Sequence, residues 1–315
     1  MSRRRPLRFR PDGTFTIVQL TDVHWRNGDE ADLRSRGLIE GVLDAETPDL
    51  VALTGDIVSG EESADPGAAY AAVVAPIEAR GIPWAAVFGN HDDEGSASRE
   101  DLLRTQRAHA HCLTERGPRR LTGVGNYVLR LLSAVEDRLA AALYFVDSGA
   151  YNALGIGHYA WIARDQIEWY ARTSARLRSE YDGRGDGAPL PALAFFHIPL
   201  PEYEDVWRTA VCRGHRHEPV CGPSANSGFF AALLEAGDVL GAFCGHDHVN
   251  DYEGDLHGIR LCYGRASGFS PYGREGFQRG ARVIRLREGE RRFDTWVRLE
   301  DGSALLEPPV HEPAE

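Results

Sequence analysis

The sequence predicts an α/β fold, and two observations carry that prediction. Short apolar runs of strand length alternate with longer segments whose apolar residues recur every three or four positions. Each of the strand-like runs ends in a polar residue or a small polar cluster. In open α/β sheets the ligand crevice lies outside the carboxyl ends of the strands, so residues far apart in the chain are expected to converge there.

In chain order, Phe15 to Leu20, Leu50 to Leu53, Trp84 to Phe88, Ala142 to Val146, Ala192 to Phe196 and Val239 to Phe243 read as strands. Leu33 to Leu43 and Ala68 to Ala79 are Ala/Leu-rich helical patterns, and Ile167, Tyr170, Ser174, Leu177 and Tyr181 mark one buried stripe of a further helix. This alternation favours largely parallel strands. Gly258 to Tyr263 and Ala281 to Leu286 read as strands of a second sheet, joined by the glycine-rich stretch Gly264 to Gly280. Glu61 to Gly67, Glu94 to Ser98, Arg116 to Gly125 and Asp182 to Pro191 read as surface excursions. No linker separates two cores and no repeat is visible, so residues 1–305 are expected to form a single domain. Residues 306–315, with three prolines and three glutamates, are expected to be a disordered acidic tail.

Composition narrows the function classes. The chain has 315 residues, 43% of them hydrophobic, and a net charge of -12. That is enough apolar material for a sizeable core, and too acidic for non-specific binding to DNA or an anionic membrane. No 18-residue apolar stretch occurs, and Arg3, Arg4 and Arg5 are followed by no apolar core, so a soluble cytoplasmic protein is expected. The odd set Cys112, Cys212, Cys221, Cys244 and Cys262 contains no CxxC pair and fits free thiols, with Cys212 and Cys221 close enough in sequence to pair under oxidation. The stretch from Cys212 to Cys221 matches no standard zinc-finger spacing.

The chemistry resides in the polar clusters: Asp22-Val23-His24, Gly55-Asp56, Gly89-Asn90-His91-Asp92, His197, and Gly245-His246-Asp247-His248. Residues two apart on an extended segment project to the same side, so Asp22 with His24, and His246 with His248, can each reach neighbouring points in space. Imidazole, carboxylate and carboxamide donors without a thiolate suit manganese, iron or zinc in a working site. A carboxylate shared between two such ions holds them ~3.5 to 4 Å apart, the separation that clamps a phosphoryl group. Any one cluster alone would more often be a capped turn or a satisfied histidine; five at strand ends point jointly to a metal site.

In this order the blocks resemble the calcineurin-like metallophosphoesterases over roughly residues 15 to 290. Leu143 to Gly149, Phe196 to Glu202, Asn226 to Phe230 and Gly245 to Asp251 look like the compact, single-domain purple-acid-phosphatase-like branch of plants and fungi, with bacterial relatives. The resemblance implies a metallophosphoesterase-type sandwich of two mixed β-sheets flanked by helices, with a dinuclear metal site at strand ends. By that resemblance Asp22, His24, Asp56 and His248 hold one ion, and Asp56, Asn90, His197 and His246 the other, most simply two Mn2+ with Fe or Zn as alternatives. His91 stands over the substrate phosphate and Asp92 orients its imidazole. The implied reaction is in-line attack of a metal-bridging hydroxide on a phosphomonoester or phosphodiester.

One departure is visible: where purple phosphatases carry Gly-Asp-x-x-Tyr, this chain has Ser59, so a colourless site without tyrosinate is expected. Arg26 and Arg265 are candidates to bind a phosphate oxygen, and Tyr151, His158, Tyr159 and Trp161 to form an aromatic rim. The expected partner is a small-molecule phosphoester or a phosphoprotein, with no nucleic acid and no membrane. A cyclic-nucleotide phosphodiesterase and a non-catalytic metal-binding scaffold are the competing readings.

Overall fold

The structure is a computed structural model describing residues 6–181 and 188–313. Arg3 to Arg5, residues 182–187 of the predicted excursion and the last two residues of the tail lie outside the described residues. The first half of the chain contains β1 (Leu7–Arg8), β2 (Thr14–Leu20), α1 (Glu30–Glu46), β3 (Leu50–Thr54), α2 (Pro66–Ala79), β4 (Trp84–Val87), α3 (Arg99–Ala108), β5 (Tyr127–Leu132) and β6 (Leu139–Phe145). It continues through α4 (Arg164–Glu180), β7 (Ala192–Phe195), α5 (Glu202–Thr209), β8 (Cys212–Arg213), α6 (Phe229–Ala236) and β9 (Val239–Cys244). The last segments are β10 (Glu253–Leu256), β11 (Ile259–Tyr263), β12 (Gly280–Arg287), β13 (Phe293–Leu299), β14 (Ala304–Leu305) and β15 (Val310–His311).

Helix starts follow local chemistry. Asp29 and Asp65 cap α1 and α2 by accepting from Asp32 N and Ala68 N, and Ser98 with Asp101 forms a reciprocal capping box on α3. The strands form two mixed sheets, one of nine strands in the order β1-β5-β6-β7-β9-β11-β10-β8-β15 and one of six in the order β14-β13-β12-β2-β3-β4. Alternation along the strands divides their side chains between layers. Ile17, Leu50, Ala52 and Val87 face Leu143, Phe195 and Phe243 between the sheets. Val18, Leu20, Val51 and Leu53 face Ile39, Val42, Val73 and Leu102 of α1 to α3 outside the six-stranded sheet. Tyr144, Ala194 and Ala242 pack with Tyr170, Tyr203 and Phe230 of α4 to α6 outside the nine-stranded one. The result is a helix–sheet–sheet–helix sandwich. A ladder of aromatic rings, Tyr127, Phe145, Phe195, Phe243 and Phe293, crosses the central layer with centroids 4.9, 5.1, 5.2 and 5.4 Å apart.

Two expectations are corrected. Gly258 to Tyr263 and Ala281 to Leu286 do not share a sheet: β11 pairs in parallel with β9, whereas β12 pairs antiparallel with β2. The β10–β11 hairpin returns beside β9, and the intervening segment carries the chain across to the other sheet. The tail is ordered where described. Val310 and His311 pair with Arg213 and Cys212, and the His311 ring stacks on Trp207 at 3.7 Å. Its composition predicted disorder, but β8 offers an open strand edge and Trp207 an open face. Helices α3, α5 and α6 and strands β5 and β13 went unread, the helices being at most ten residues long.

Candidate metal centre

The predicted donors sit just beyond the carboxyl ends of β2, β3, β4, β7 and β9, and the backbone there is held in unusual conformations. Only six described non-glycine residues have positive φ, and four are Asp22 (52°), His24 (49°), Asp56 (50°) and His246 (77°). Such conformations cost free energy and persist where the surroundings fix them, commonly at functional sites. Here the fixing is visible: Asp22 N donates to Gly55 O at 3.1 Å and His24 N to Asp56 O at 2.9 Å. Asp22 in turn accepts from His246 N at 3.1 Å, tying β2 to the β9 loop. Two glycines leave room for this. A Cβ on Gly55 (φ 89°) would lie 2.5 Å from His197 Nδ1, and one on Gly89 2.1 Å from Asp56 Oδ1.

Two donor groups result. Asp22, His24, Asp56 and His248 form one and Asp56, His197 and His246 the other, each with ligand atoms within 4.8 Å of one another and all buried. His24 Nε2 and His248 Nε2 face each other at 3.3 Å, and His246 Nδ1 lies 3.3 Å from His197 Nε2. Asn90 Oδ1, 3.2 Å from His197 Nε2, joins the second group. Asp56 Oδ2 is buried without a hydrogen-bond partner, 3.0 Å from His197 Nε2 and 3.6 Å from His24 Nε2. An orphaned carboxylate oxygen between two clusters of ring nitrogens fits a carboxylate that bridges two cations. His197 Nδ1 donates to Thr54 O at 2.8 Å, which leaves Nε2 as the donor atom.

Electrostatics agree with this assignment. Burial pushes the His24 and His246 imidazoles down to about 4 and about 3, so both are neutral at pH 7, as ligands must be. Burial together with neighbouring Asp56 raises the Asp22 carboxyl. Burial lowers the His197 imidazole, but the neighbouring Asp56 carboxylate outweighs it and holds the group high.

His91 stands beside this cluster, its ring 5.2 Å from His24 and its side chain 39% exposed. Asp92, however, does not orient it. The Asp92 carboxylate is buried and accepts from the backbone N–H groups of Asp56, Ile57, Val58 and Gly89 at 2.7 to 3.1 Å, clamping the β3 and β4 loops together. The residue on the His91 ring is Glu94, whose Oε2 lies 2.5 Å from Nδ1. Sequence reading placed Glu94 in a surface excursion, although an acid three positions after His91 was the available signal.

Other candidates sort clearly. Arg26 pairs with Glu62 and Asp29, and Arg265 is buried against Asp251 and over the Phe277 ring, so both guanidinium groups are engaged in the scaffold. Tyr159 meets His246 edge-on at 4.4 Å and Tyr151 bonds to Asn90 Nδ2 at 3.2 Å, while His158 packs on both tyrosines. Trp161 instead lines a small cleft with Ile198 and Phe229. Tyr272, which the sequence did not mark, stacks on His248 at 4.2 Å. Ser59 Oγ sits behind His24, 3.3 Å from Nδ1. Asp147 holds Arg99 rather than joining the donors. Cys212 is buried in β8 and Cys221 lies beside Asp247, and the two do not form a disulfide.

A β-sandwich flanked by helices, with a two-part donor cluster sharing one aspartate at its strand ends, defines the dimetal metallophosphoesterases. The family model for calcineurin-like phosphoesterases matches residues 15–250, and the chain belongs to that family. It is 36% identical over 334 residues to "Probable inactive purple acid phosphatase 29" of Arabidopsis thaliana, covering 95% of this chain and 86% of that protein. It is 34% identical over 325 residues to "Phosphatase DCR2" of Saccharomyces cerevisiae, covering 91% of this chain and 54% of the yeast protein. Among solved structures, a dimetal phosphatase from Danio rerio shares the fold with a TM-score of 0.62 at 15% identity, over 95% of this chain and 99% of that one. No helix among the described residues is long and apolar enough to cross a membrane.

Proposed function

We propose that the chain is a metal-dependent phosphohydrolase acting on a phosphomonoester or phosphodiester, with His91 as the group that touches the substrate. The observation that carries this reading is the pair of donor clusters sharing Asp56, with the half-exposed His91 ring alongside. Asp22, His24, Asp56 and His248 would hold one divalent ion, and Asp56, Asn90, His197 and His246 the second, Mn2+ being the simplest occupant. Two such ions would supply Lewis acidity and an activated water for displacement at phosphorus. The chain's own contribution is positional. The Thr54 carbonyl fixes the His197 tautomer, Asp92 fixes the two loops, and His91 would donate a proton to the departing oxygen. Its Nδ1 faces Glu94, which leaves Nε2 for substrate.

The word "inactive" in the names of several plant relatives favours a second reading, a scaffold that keeps the metals without turnover. Against it stands the clustering of the seven candidate donors, with the His91 ring beside them. Substrate is proposed as a small-molecule phosphoester or a phosphoprotein. The test is hydrolysis of paired monoester and diester chromogenic phosphates by metal-stripped protein reloaded with Mn2+, Fe2+ or Zn2+. Metal-dependent turnover supports the enzyme; two bound ions without turnover on any ester supports the scaffold.

A further inference from the structure

The phenol of Tyr151 lies between two groups of the site that act on different things. Its oxygen is 3.2 Å from Asn90 Nδ2, and its hydroxyl donates to Glu94 Oε1. The other Glu94 oxygen, Oε2, lies 2.5 Å from His91 Nδ1. Donor and acceptor roles follow from chemistry. An amide NH2 can only donate, so the tyrosine oxygen accepts from Asn90, and its own hydrogen is left for the carboxylate. The carboxylate, an acceptor only, takes the Nδ1–H of His91 through its second oxygen. Two donor runs therefore converge on Glu94, one from Asn90 through Tyr151 and one from His91, and link the four side chains in one connected network.

Each end of that network selects an orientation. With its NH2 on Tyr151, the Asn90 amide must turn Oδ1 toward His197, the side of the second donor cluster. With Nδ1–H on Glu94, the His91 ring keeps Nε2 for whatever lies over the cluster. Tyr151 comes from a loop remote in sequence, closed by the Tyr151–Tyr159 bridge and resting edge-on against His246 through Tyr159. Tyr151 is 41% exposed, so its hydroxyl does not hold the core together.

We propose that Tyr151 and Glu94 are positioning residues that act as one unit, setting the Asn90 amide toward the second metal and the His91 imidazole toward the leaving group. This deepens the phosphohydrolase reading and rests on it for its kinetic half. The structural half stands alone.

The experiment compares wild type, Tyr151→Phe, Glu94→Gln, Glu94→Asp and the double variant Tyr151→Phe/Glu94→Gln. In metal-free protein, ¹⁵N-imidazole NMR reads the His91 tautomer. The expected result is a dominant Nδ1–H form in wild type that is lost in Glu94→Gln and partly restored in Glu94→Asp. Mn2+ titration by calorimetry should show the second ion weakened about 10- to 100-fold in Tyr151→Phe, the usual size of a loss of an outer hydrogen-bond partner, with the first ion unchanged. In Mn2+-loaded protein, kcat should fall more for an alkyl phosphate than for a p-nitrophenyl ester, with KM little changed. The double variant should be no worse than the more damaged single one, since the two residues belong to one network. A His91 tautomer indifferent to Glu94, or strictly additive losses equal for both leaving groups, would overturn the proposal. If wild type shows the tautomer and metal effects without turnover on any ester, the phosphohydrolase reading fails while the hydrogen-bond network stands.

Discussion

His91 and Asp92 are neighbours in sequence and do different work, which yields two contrasting predictions. His91→Ala should bind two Mn2+ by calorimetry yet lose about 10²- to 10⁴-fold in turnover, the range for one acid–base group. Asp92→Ala should instead destabilise the fold. Four buried backbone donors lose their acceptor, at roughly 3 kcal/mol or more, read as a lower denaturant midpoint in metal-free protein. If Asp92→Ala kept wild-type stability and lost only turnover, the clamp role would be wrong. Ser59 adds a spectroscopic expectation. With Ser59 behind His24, and burial raising the Tyr159 phenol to about 12, iron-loaded protein should lack a tyrosinate charge-transfer band in the visible. The candidate donors that cluster in the fold were legible in the sequence because each block ends an apolar run. The partner of His91 was not, because a carboxylate next in sequence looked a better candidate than one in an excursion.

At the scale of elements, the C-terminal segment is the informative case. Deleting residues 306–315 removes the strand that covers β8 and the ring stacked on Trp207, so the melting temperature should fall by an amount equivalent to about 1 kcal/mol. An unchanged melting temperature would mean the segment is not docked in solution. Eight strands and three long helices could be read from periodicity alone, because each has a face that must be buried. The short helices α5 and α6 could not, since eight residues give barely two turns of pattern. Composition misjudged the tail because disorder depends on whether a docking edge exists, and that edge is made far earlier in the chain by β8.

At the scale of the molecule, pH and metal both bear on stability. Burial alone would raise the Asp251 carboxyl, but a hydrogen bond from His215 and the charges of Arg265, His215 and Arg282 outweigh it and hold it low. A carboxyl lowered on folding adds stability that is fully present above the unfolded value near 3.9 and is lost as pH falls through the folded value. Asp251→Asn should therefore cost about 3 kcal/mol at pH 7, the cost of breaking a buried pair, and the gap to wild type should begin to narrow below about pH 4 and close only below the folded value. Urea melts at pH 7 and pH 3 check this; a gap constant with pH would exclude the charge as its source. Mn2+ at a hundredfold excess over Kd should stabilise the protein by about 2.7 kcal/mol per site, and a chelator should reverse it.

The sequence by itself determined the alternation of strands and helices, the chemical types in each cluster and, through them, the metallophosphoesterase class. These are local properties, carried by residue identity and spacing. Only the tertiary structure decided which sheet β11 and β12 join, that Asp92 braces loops while Glu94 faces His91, that Arg26 and Arg265 are consumed by ion pairs, and that Tyr151 reaches Asn90 from a distant loop. Each of those outcomes depends on which segments meet across the sandwich, and pairing at long range is settled by the energy of the whole packed arrangement rather than by any stretch of it.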